Sequence, residues 1–418
     1  MTNREFAVQV VEILRSAGYE SLWAGGCVRD HILGITPKDY DVATNATPKE
    51  VRRVFRASNI PTIAIGEAFG VIMVRGMNGA DNIEVATFRR DVDYSDGRRP
   101  DRVVFSTAEE DAERRDFTIN GLFFDPIAKQ VIDYVGGQDD IQRRVVRAIG
   151  NPKERFDEDK LRLLRAIRFA ATLGFEIDLD TMAAIRANPQ DILVVSGERI
   201  GMELRRMLAG ENRAGAVQLL CDSGLLAEVL PSLQETIGKS GAFEKILDVL
   251  KRLQATCDHA GFAASVAALL RGSSEPKAEL TQVGSRWKLT NQETKSIGWV
   301  LSSLDTIENA NERPWPMVQR LLIQEDAAAA VALSRAYAEA SNGSLGAVEF
   351  CEGKLQLPAE KLNPAALLTG HDLSARGIAA GKIFKEILDA VRDAQLDGEV
   401  ETVEEAWKVV ERVLSTKY

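Results

Sequence analysis

Every strand-like stretch of this 418-residue chain lies within its first 150 residues. Short apolar, β-branched or aromatic runs fall there at 20–24, 39–42, 61–65, 70–75, 82–88, 123–125 and 131–134, with Gly, Asp and Pro between them. From residue 151 onward such runs stop. Apolar residues then recur every three or four positions, as in amphipathic helices, over segments that include 156–171, 197–209, 243–255, 260–270, 292–305, 326–341 and 401–414. The first part also predicts helices: over 4–17, over 27–33, and from the Thr47-Pro48-Lys49-Glu50 capping box onward. The expected fold class is α+β, an N-terminal mixed sheet followed by an all-helical remainder. A chain of this length exceeds one hydrophobic core, so about two to four domains are expected. The helical segments repeat at no fixed period, which argues against a solenoid.

The formal charge of −10 disfavours a surface coated with nucleic-acid contacts. The charge is uneven, however. Arg143 to Arg168 holds nine Lys/Arg against four Asp/Glu, and Glu386 to the end holds nine acids against four bases. A polyanion site is therefore expected in the first half. No apolar run reaches the ~18–20 residues of a membrane span, and the start of the chain lacks an apolar signal core. Cys27, Cys221, Cys257 and Cys351 form no CxxC pair. That excludes the usual zinc and disulfide frameworks and suits a reducing cytoplasm.

The chemistry concentrates first at residues 25–41. The run Ser21-Leu22-Trp23-Ala24 ends in Gly25-Gly26, a helix-length stretch follows, and Asp39 and Asp41 come next. Residues i and i+2 of a strand share a face, so both carboxylates are expected to aim at one point. Two hard oxygen ligands with room left for substrate phosphates suit Mg²⁺. Gly25 and Gly26 allow the backbone to approach a phosphate closely, and Arg29 adds a forked cation. Glu84 lies on a run expected to neighbour the Asp39–Asp41 strand and is a candidate third carboxylate, with a solvated edge position as the plain alternative. Either motif alone occurs widely as a turn or a solvated strand. Together they propose a metal-dependent enzyme acting on a nucleoside triphosphate.

Two further clusters are distinctive. Arg114-Arg115-Asp116 offers guanidinium forks for triphosphate oxygens and a carboxylate able to accept from a ribose 2′-hydroxyl. A surface ion-pair cluster is the alternative. In Glu158-Asp159-Lys160-Leu161-Arg162-Leu163-Leu164-Arg165-Ala166-Ile167-Arg168-Phe169, Leu161, Leu164 and Ile167 form an apolar stripe. Asp159, Arg162, Arg165 and Arg168 recur every third residue around another face. The polar stretch from Arg89 to Ala112 reads as a long loop, which in a compact domain is commonly functional.

The run G-G-C-V-R-D-x-x-L-G-x-x-x-K-D-Y-D-V-A-T resembles the head domain of class II nucleotidyltransferases of the polymerase-β superfamily. That branch holds the CCA-adding tRNA nucleotidyltransferases and bacterial poly(A) polymerases. Arg114–Asn120 resembles the family's R-R-D-F-T-x-N segment, and Glu158–Phe169 its E-D-x-x-R-x-x-R-A-x-R-F motif. The specific resemblance covers about residues 20–210. It implies a catalytic head over 1–150, a base-reading neck over 151–210, a helical body over 211–303 and a tRNA-holding tail over 304–418. By the same resemblance Arg115 and Asp116 contact the sugar and phosphates, Asp159 and Arg162 read the base, and Arg165 and Arg168 help hold the nucleotide. Residues 136–150 and the helix near 200–208 resemble further motifs, expected to be mostly supporting.

The base chemistry follows from donor and acceptor types. Asp accepts and Arg donates. Cytosine and adenine both present an exocyclic amine beside ring acceptors, whereas uracil and guanine present the reverse. One Asp–Arg pair therefore accepts C and A and rejects U and G. The implied activity is addition of C, C and A to tRNA 3′ ends from CTP and ATP. Poly(A) polymerase, partial CC or A addition, and a catalytically silent RNA-binding protein are the alternatives. Poly(A) polymerases tend to carry G-[RK]-[RK]-F-R where this chain has Gly66-Glu67-Ala68-Phe69-Gly70, and to end in a basic extension where this chain is acidic. Both departures favour CCA addition.

Overall fold

The computed structural model describes residues 1–66, 69–92, 102–238, 241–253, 259–379 and 381–415. Part of the expected loop at 89–112 and part of the turn at 65–71 lie outside them, as does Cys257. The chain divides into two compact units. One comprises Met1–Met207 with Gly215–Pro231, the other Leu208–Ala214 with Ser232–Tyr418.

The first unit is built on a mixed sheet. Its strands are β1 (Ser21–Ala24), β2 (Asp41–Thr44), β3 (Thr62–Gly66), β4 (Val71–Val74) and β5 (Ile83–Thr87). A separate two-stranded ribbon follows, β6 (Arg89–Val92) and β7 (Arg102–Phe105), and then β8 (Leu122–Asp125) and β9 (Gln130–Asp133) complete the main sheet. The order across the main sheet is β3-β4-β5-β2-β1-β8-β9. Only β2 and β5 run parallel; the other neighbours are antiparallel. The link between β2 and β5 carries the helix Pro48–Ala57 and the β3–β4 hairpin. Its Glu50 side chain accepts from the Thr47 N–H at 2.8 Å, as the capping sequence implies.

Strand alternation separates two faces. Leu22, Ala24, Ala43 and Phe123 pack with Phe88, Ala108 and Ala112 on one. Trp23 turns to the other, where the helix Asn3–Ser16 buries Phe6, Val10 and Leu14 and the Trp23 Nε1 donates to Ala7 O. Asp41 lies two residues before Ala43 and so heads the row on the face away from that helix.

The glycine pair at 136–137 closes the sheet against the next helix, Gly137–Arg143. Asp133 accepts from the N–H groups of Val135, Gly136, Gly137 and Gln138. A Cβ on Gly137 would sit 2.2 Å from Thr118 O. Behind it, the fully buried Asp140 accepts from Thr118 Oγ1 and from Arg147.

The sequence predicts one helix over 156–171, but two form: Pro152–Glu158 and Arg162–Leu173. Asp159 between them is extended, with φ −146° and ψ 103°. Its Oδ1 accepts from the Leu161 N–H, a local side-chain bond that competes with helix continuation. The polar stretch 89–112 holds the β6–β7 ribbon and the helix Ala108–Glu113 rather than loop alone.

The second unit is helical throughout its described residues. Helices Ala242–Arg252, His259–Leu270, Pro276–Trp287, Asn291–Glu308, Trp315–Leu322, Ala327–Ala340 and Gly346–Leu355 succeed one another. Helix Pro276–Trp287 adds to the helices the periodicity predicts, and Asn291–Glu308 runs through the expected boundary at 303. Lys382–Leu396 and Val403–Ser415 pair over Ile387, Val391, Ala406 and Val410. Among the described residues no helix is long and apolar enough to cross a membrane.

Gly137→Ala is expected to destabilise the first unit by about 1–3 kcal/mol or more, because its Cβ meets backbone rather than a movable side chain. Denaturant unfolding followed at the sheet's tryptophan, Trp23, measures this.

Candidate active site

The site begins where β2 begins. Trp23 of β1 pairs with Val42, but Ala24 pairs with Phe123 of β8, and the Gly25 N–H bonds to Leu122 O at 2.9 Å. Nothing continues β2 toward Asp39, which sits on the bend preceding the strand. The expected strand over 39–42 is therefore shorter, and the i, i+2 argument does not place Asp39. Asp41 is placed firmly, because its parallel partner in β5 is Glu84. Both side chains are exposed. Neighbouring protein atoms still partly desolvate Asp41 and raise its carboxyl to about 6, with the charges of Asp39 and Glu84 adding to the effect and Arg115 opposing it. Three carboxylates thus influence one point. Among the described residues, no three Asp, Glu, His or Cys side chains close into a ready-made metal cage. A cation held partly by these carboxylates and partly by substrate oxygens fits that chemistry.

Gly25 faces this point from β1. Its φ of +75° favours glycine, and a Cβ there would lie 2.7 Å from Arg115 Nη1. Gly26 opens the helix Gly26–Ile32 without such crowding. Arg115 is fixed by Asp111 Oδ2, which accepts from its Nε and Nη2, and by Asn120 O, which accepts from Nη1 at 3.2 Å. Asp111 also binds Arg114. Burial raises the Asp111 carboxyl, but the two guanidiniums outweigh it and leave the group below its ordinary range. Arg29, the expected phosphate fork, is committed to Asp30 and to Asn120 Oδ1 at 2.6 Å.

Asp116 is buried and fully engaged. Its Oδ1 accepts from the Phe117 N–H and Asn120 Nδ2, and its Oδ2 from Arg165 Nε at 2.7 Å and Nη2 at 2.5 Å. A ribose contact by Asp116 requires one of these partners to let go. Arg165, Arg168 and Arg29 all lie over the ring of Phe169, at 5.2, 3.9 and 5.3 Å from its centroid. Arg168 is paired with the buried Glu203.

The side chains of Asp159 and Arg162 are not bonded to each other, although the Arg162 N–H donates to Asp159 O at 3.0 Å. Arg199 grips Asp159 with both Nη atoms, at 3.1 Å to Oδ1 and 2.7 Å to Oδ2. With the Leu161 N–H, three of about four lone-pair sites on that carboxylate are filled, and the open one is on Oδ2. Arg162 gives Nη1 to Glu158 and to Arg155 O, and Nη2 to Arg114 O at 3.1 Å. Its Nε–H and a second Nη2–H have no hydrogen-bond partner among the described residues.

Residues 22–147 match the family described as "Poly A polymerase head domain", and residues 174–237 the one described as "Probable RNA and SrmB- binding site of polymerase A". A CCA-adding enzyme of Geobacillus kaustophilus is 34% identical over 409 residues, 96% of this chain and 96% of the relative. The chain belongs to the CCA-adding enzyme family. Another CCA-adding enzyme, of Geobacillus thermodenitrificans, is also 34% identical, across 96% of this chain and 95% of its own. The Bacillus stearothermophilus CCA-adding enzyme, solved in complex with CTP, superposes with a TM-score of 0.76 at 29% identity, covering 99% of this chain and 98% of that one. The Thermotoga maritima CCA-adding enzyme, solved with tRNA, shares the fold with a TM-score of 0.69 at 22% identity, over 99% and 95% of the two chains.

In this member of the family, the sequence motifs mark the hands but not what holds them. Asp111, Asn120, Glu158, Arg199 and Phe169 each fix a candidate residue, and no motif marks any of them as a holder. The motif at the helix near 200–208 implies only general support and names no partner for Asp159 or Arg168. Partners 40 or 35 residues apart, such as Asp159 with Arg199 and Arg168 with Glu203, carry no local spacing signal.

Burial raises the Asp116 carboxyl, but the Arg165 charge and the Asn120 bond outweigh it and hold it at about 2. Its unfolded value is ~3.9, so its contribution is present above that pH and is lost as pH falls toward 2. Asp116→Asn should lower stability at neutral pH. The variant should then lose less stability than the wild type between pH 4 and 2, as read by denaturant titration.

Proposed function

We propose that this protein adds C, C and A to the 3′ end of tRNA from CTP and ATP without a nucleic-acid template. The observation that carries the reading is the pair left open in the neck, one acceptor on Asp159 Oδ2 and donors on Arg162 Nε and Nη2. Cytosine meets them with N4–H₂ against N3 and O2, adenine with N6–H₂ against N1. Uracil and guanine would face donor with donor and acceptor with acceptor. The near full-length likeness to CCA-adding enzymes supports the reaction.

In this reading Asp39 and Asp41 hold Mg²⁺, and Glu84, in register with Asp41, adds charge beside them. The ion, when bound, supplies activation of the RNA 3′-hydroxyl and charge stabilisation at the α-phosphate as pyrophosphate leaves. Gly25 lets Arg115 come close to the carboxylate cleft, where its guanidinium receives triphosphate oxygens. Arg165 and Arg168 line the neck side. Residues 1–150 then act as head and 151–210 as neck, with the remaining helices, 211–303 and 304–418, holding tRNA in the cytoplasm.

The assay uses tRNA ending before CCA, Mg²⁺ and each labelled nucleotide. Addition stopping after C-C-A is expected, and Asp41→Ala should slow it by at least ~10²-fold. Long A tails on generic RNA would contradict the reading.

Arg199→Ala should release the Asp159 carboxylate while leaving the metal side intact. Loss of a charge-assisted bond of about 1.5–3 kcal/mol should reduce the preference for CTP over UTP by roughly 10–100-fold. Single-turnover incorporation of the two nucleotides measures it. An unchanged ratio would show that Asp159 does not depend on Arg199.

A further inference from the structure

The two carboxylates at the start of β2 are held unequally. Asp41 lies in the ladder, in register with Glu84 of β5. Asp39 lies outside it, on the bend, and its carboxylate has no hydrogen-bond or ion-pair partner among the described residues. An ion shared by two ligands binds best when both are already in place, so a free-moving Asp39 would weaken the site. The residue between the two aspartates supplies what the ladder does not.

Tyr40 is 6% exposed, although the aspartates on either side of it are exposed. Strand alternation accounts for the contrast. Trp23 of β1 pairs with Val42, so both point to the face covered by the helix Asn3–Ser16. Tyr40 lies two residues before Val42, in the diagonal position to Trp23, and aromatic side chains reach across such a diagonal. The two rings meet edge to face, with 4.8 Å between centroids and 62° between planes.

Trp23 is itself fixed. It is fully buried, its Nε1 donates to Ala7 O at 3.3 Å, and Phe124, its partner on β8, lies 5.4 Å away, centroid to centroid. Phe124 in turn packs at 4.7 Å against His31, from the helix that the glycine pair opens. The bend and that helix therefore rest on neighbouring rings of one aromatic row. The Tyr40 hydroxyl has no hydrogen-bond partner among the described residues, so the ring alone makes the contact.

We propose that Tyr40 is a positioning residue for the Asp39–Asp41 pair. Its ring, pinned against Trp23, anchors the chain between the two aspartates and fixes Asp39 one residue from a buried point. Asp39 thereby gains from packing the placement that Asp41 gains from the sheet, and a divalent cation meets two ordered ligands. The inference rests on the reading that these two carboxylates hold the ion.

The test titrates Mn²⁺ alone, without nucleotide or RNA, into the full chain and follows the free ion by electron paramagnetic resonance. The binding that Asp41→Ala removes defines the metal site. Tyr40→Phe keeps the ring and should bind as the wild type does. Tyr40→Ala should weaken binding severalfold. Tyr40→Leu keeps an apolar anchor, disturbs the core less, and should fall between them. Val10→Ala removes buried surface from the helix on the same face, so it should lower the melting temperature and leave Mn²⁺ affinity unmoved. In CTP incorporation, Tyr40→Ala should need more Mg²⁺ for half-maximal rate, with the KM for tRNA unchanged. If folded Tyr40→Ala and Tyr40→Leu bind Mn²⁺ as tightly as the wild type, or if Val10→Ala loses as much affinity as they do, the proposal is overturned. Unchanged Mn²⁺ binding in Asp41→Ala would instead overturn the metal reading beneath it.

Discussion

A buried ion pair between Asp116 and Arg165 ties the sheet to the helix that follows it. The two residues are 49 positions apart, and the carboxylate is buried. An ion pair in such surroundings stabilises only when its other lone pairs are satisfied. Asn120 and the Phe117 backbone meet that condition. Asn120 in turn holds Arg29 through its side chain and Arg115 through its carbonyl. The glycine turn, the R-R-D segment and the helix Arg162–Leu173 are therefore one bonded assembly, packed around the Phe169 ring.

This arrangement explains why so many arginines can gather without scattering the site. Each cation has an assigned acid: Arg114 and Arg115 share Asp111, Arg165 has Asp116, Arg168 has Glu203 and Arg162 has Glu158. The proposed specificity lies in what these pairings leave over. Asp159 is gripped from one side and keeps one acceptor; Arg162 is anchored at three contacts and keeps two donors. Selection between bases then needs no movement of long, free side chains, whose ordering costs entropy.

The sheet was legible because its strands announce themselves by alternation and its turns by glycine and aspartate. Asp41 could be placed on a strand edge from the D-x-D run, and Glu84 beside it from the apolar alternation of 82–88. Asp39 could not, because the strand's end depends on where β1 changes partner, at Ala24. The break at Asp159 was hidden for a similar reason. Its flanks have good helical periodicity, and only the side-chain bond to the Leu161 N–H shows why the helix stops. Arg199 acts across the fold, 40 residues from Asp159, and single-sequence spacing carries no trace of such a pair. Asp111 lies at helical spacing from Arg114 and Arg115, a signal the sequence does carry.

The central claim is that a single Asp159 acceptor senses the exocyclic amine of the incoming base. Incorporation of the 2-pyrimidinone ribonucleoside triphosphate, which is CTP without that amine, tests it most directly. The account predicts that the wild type strongly prefers CTP and that Asp159→Ala uses the two nucleotides nearly alike. Equal use of both by the wild type would contradict it.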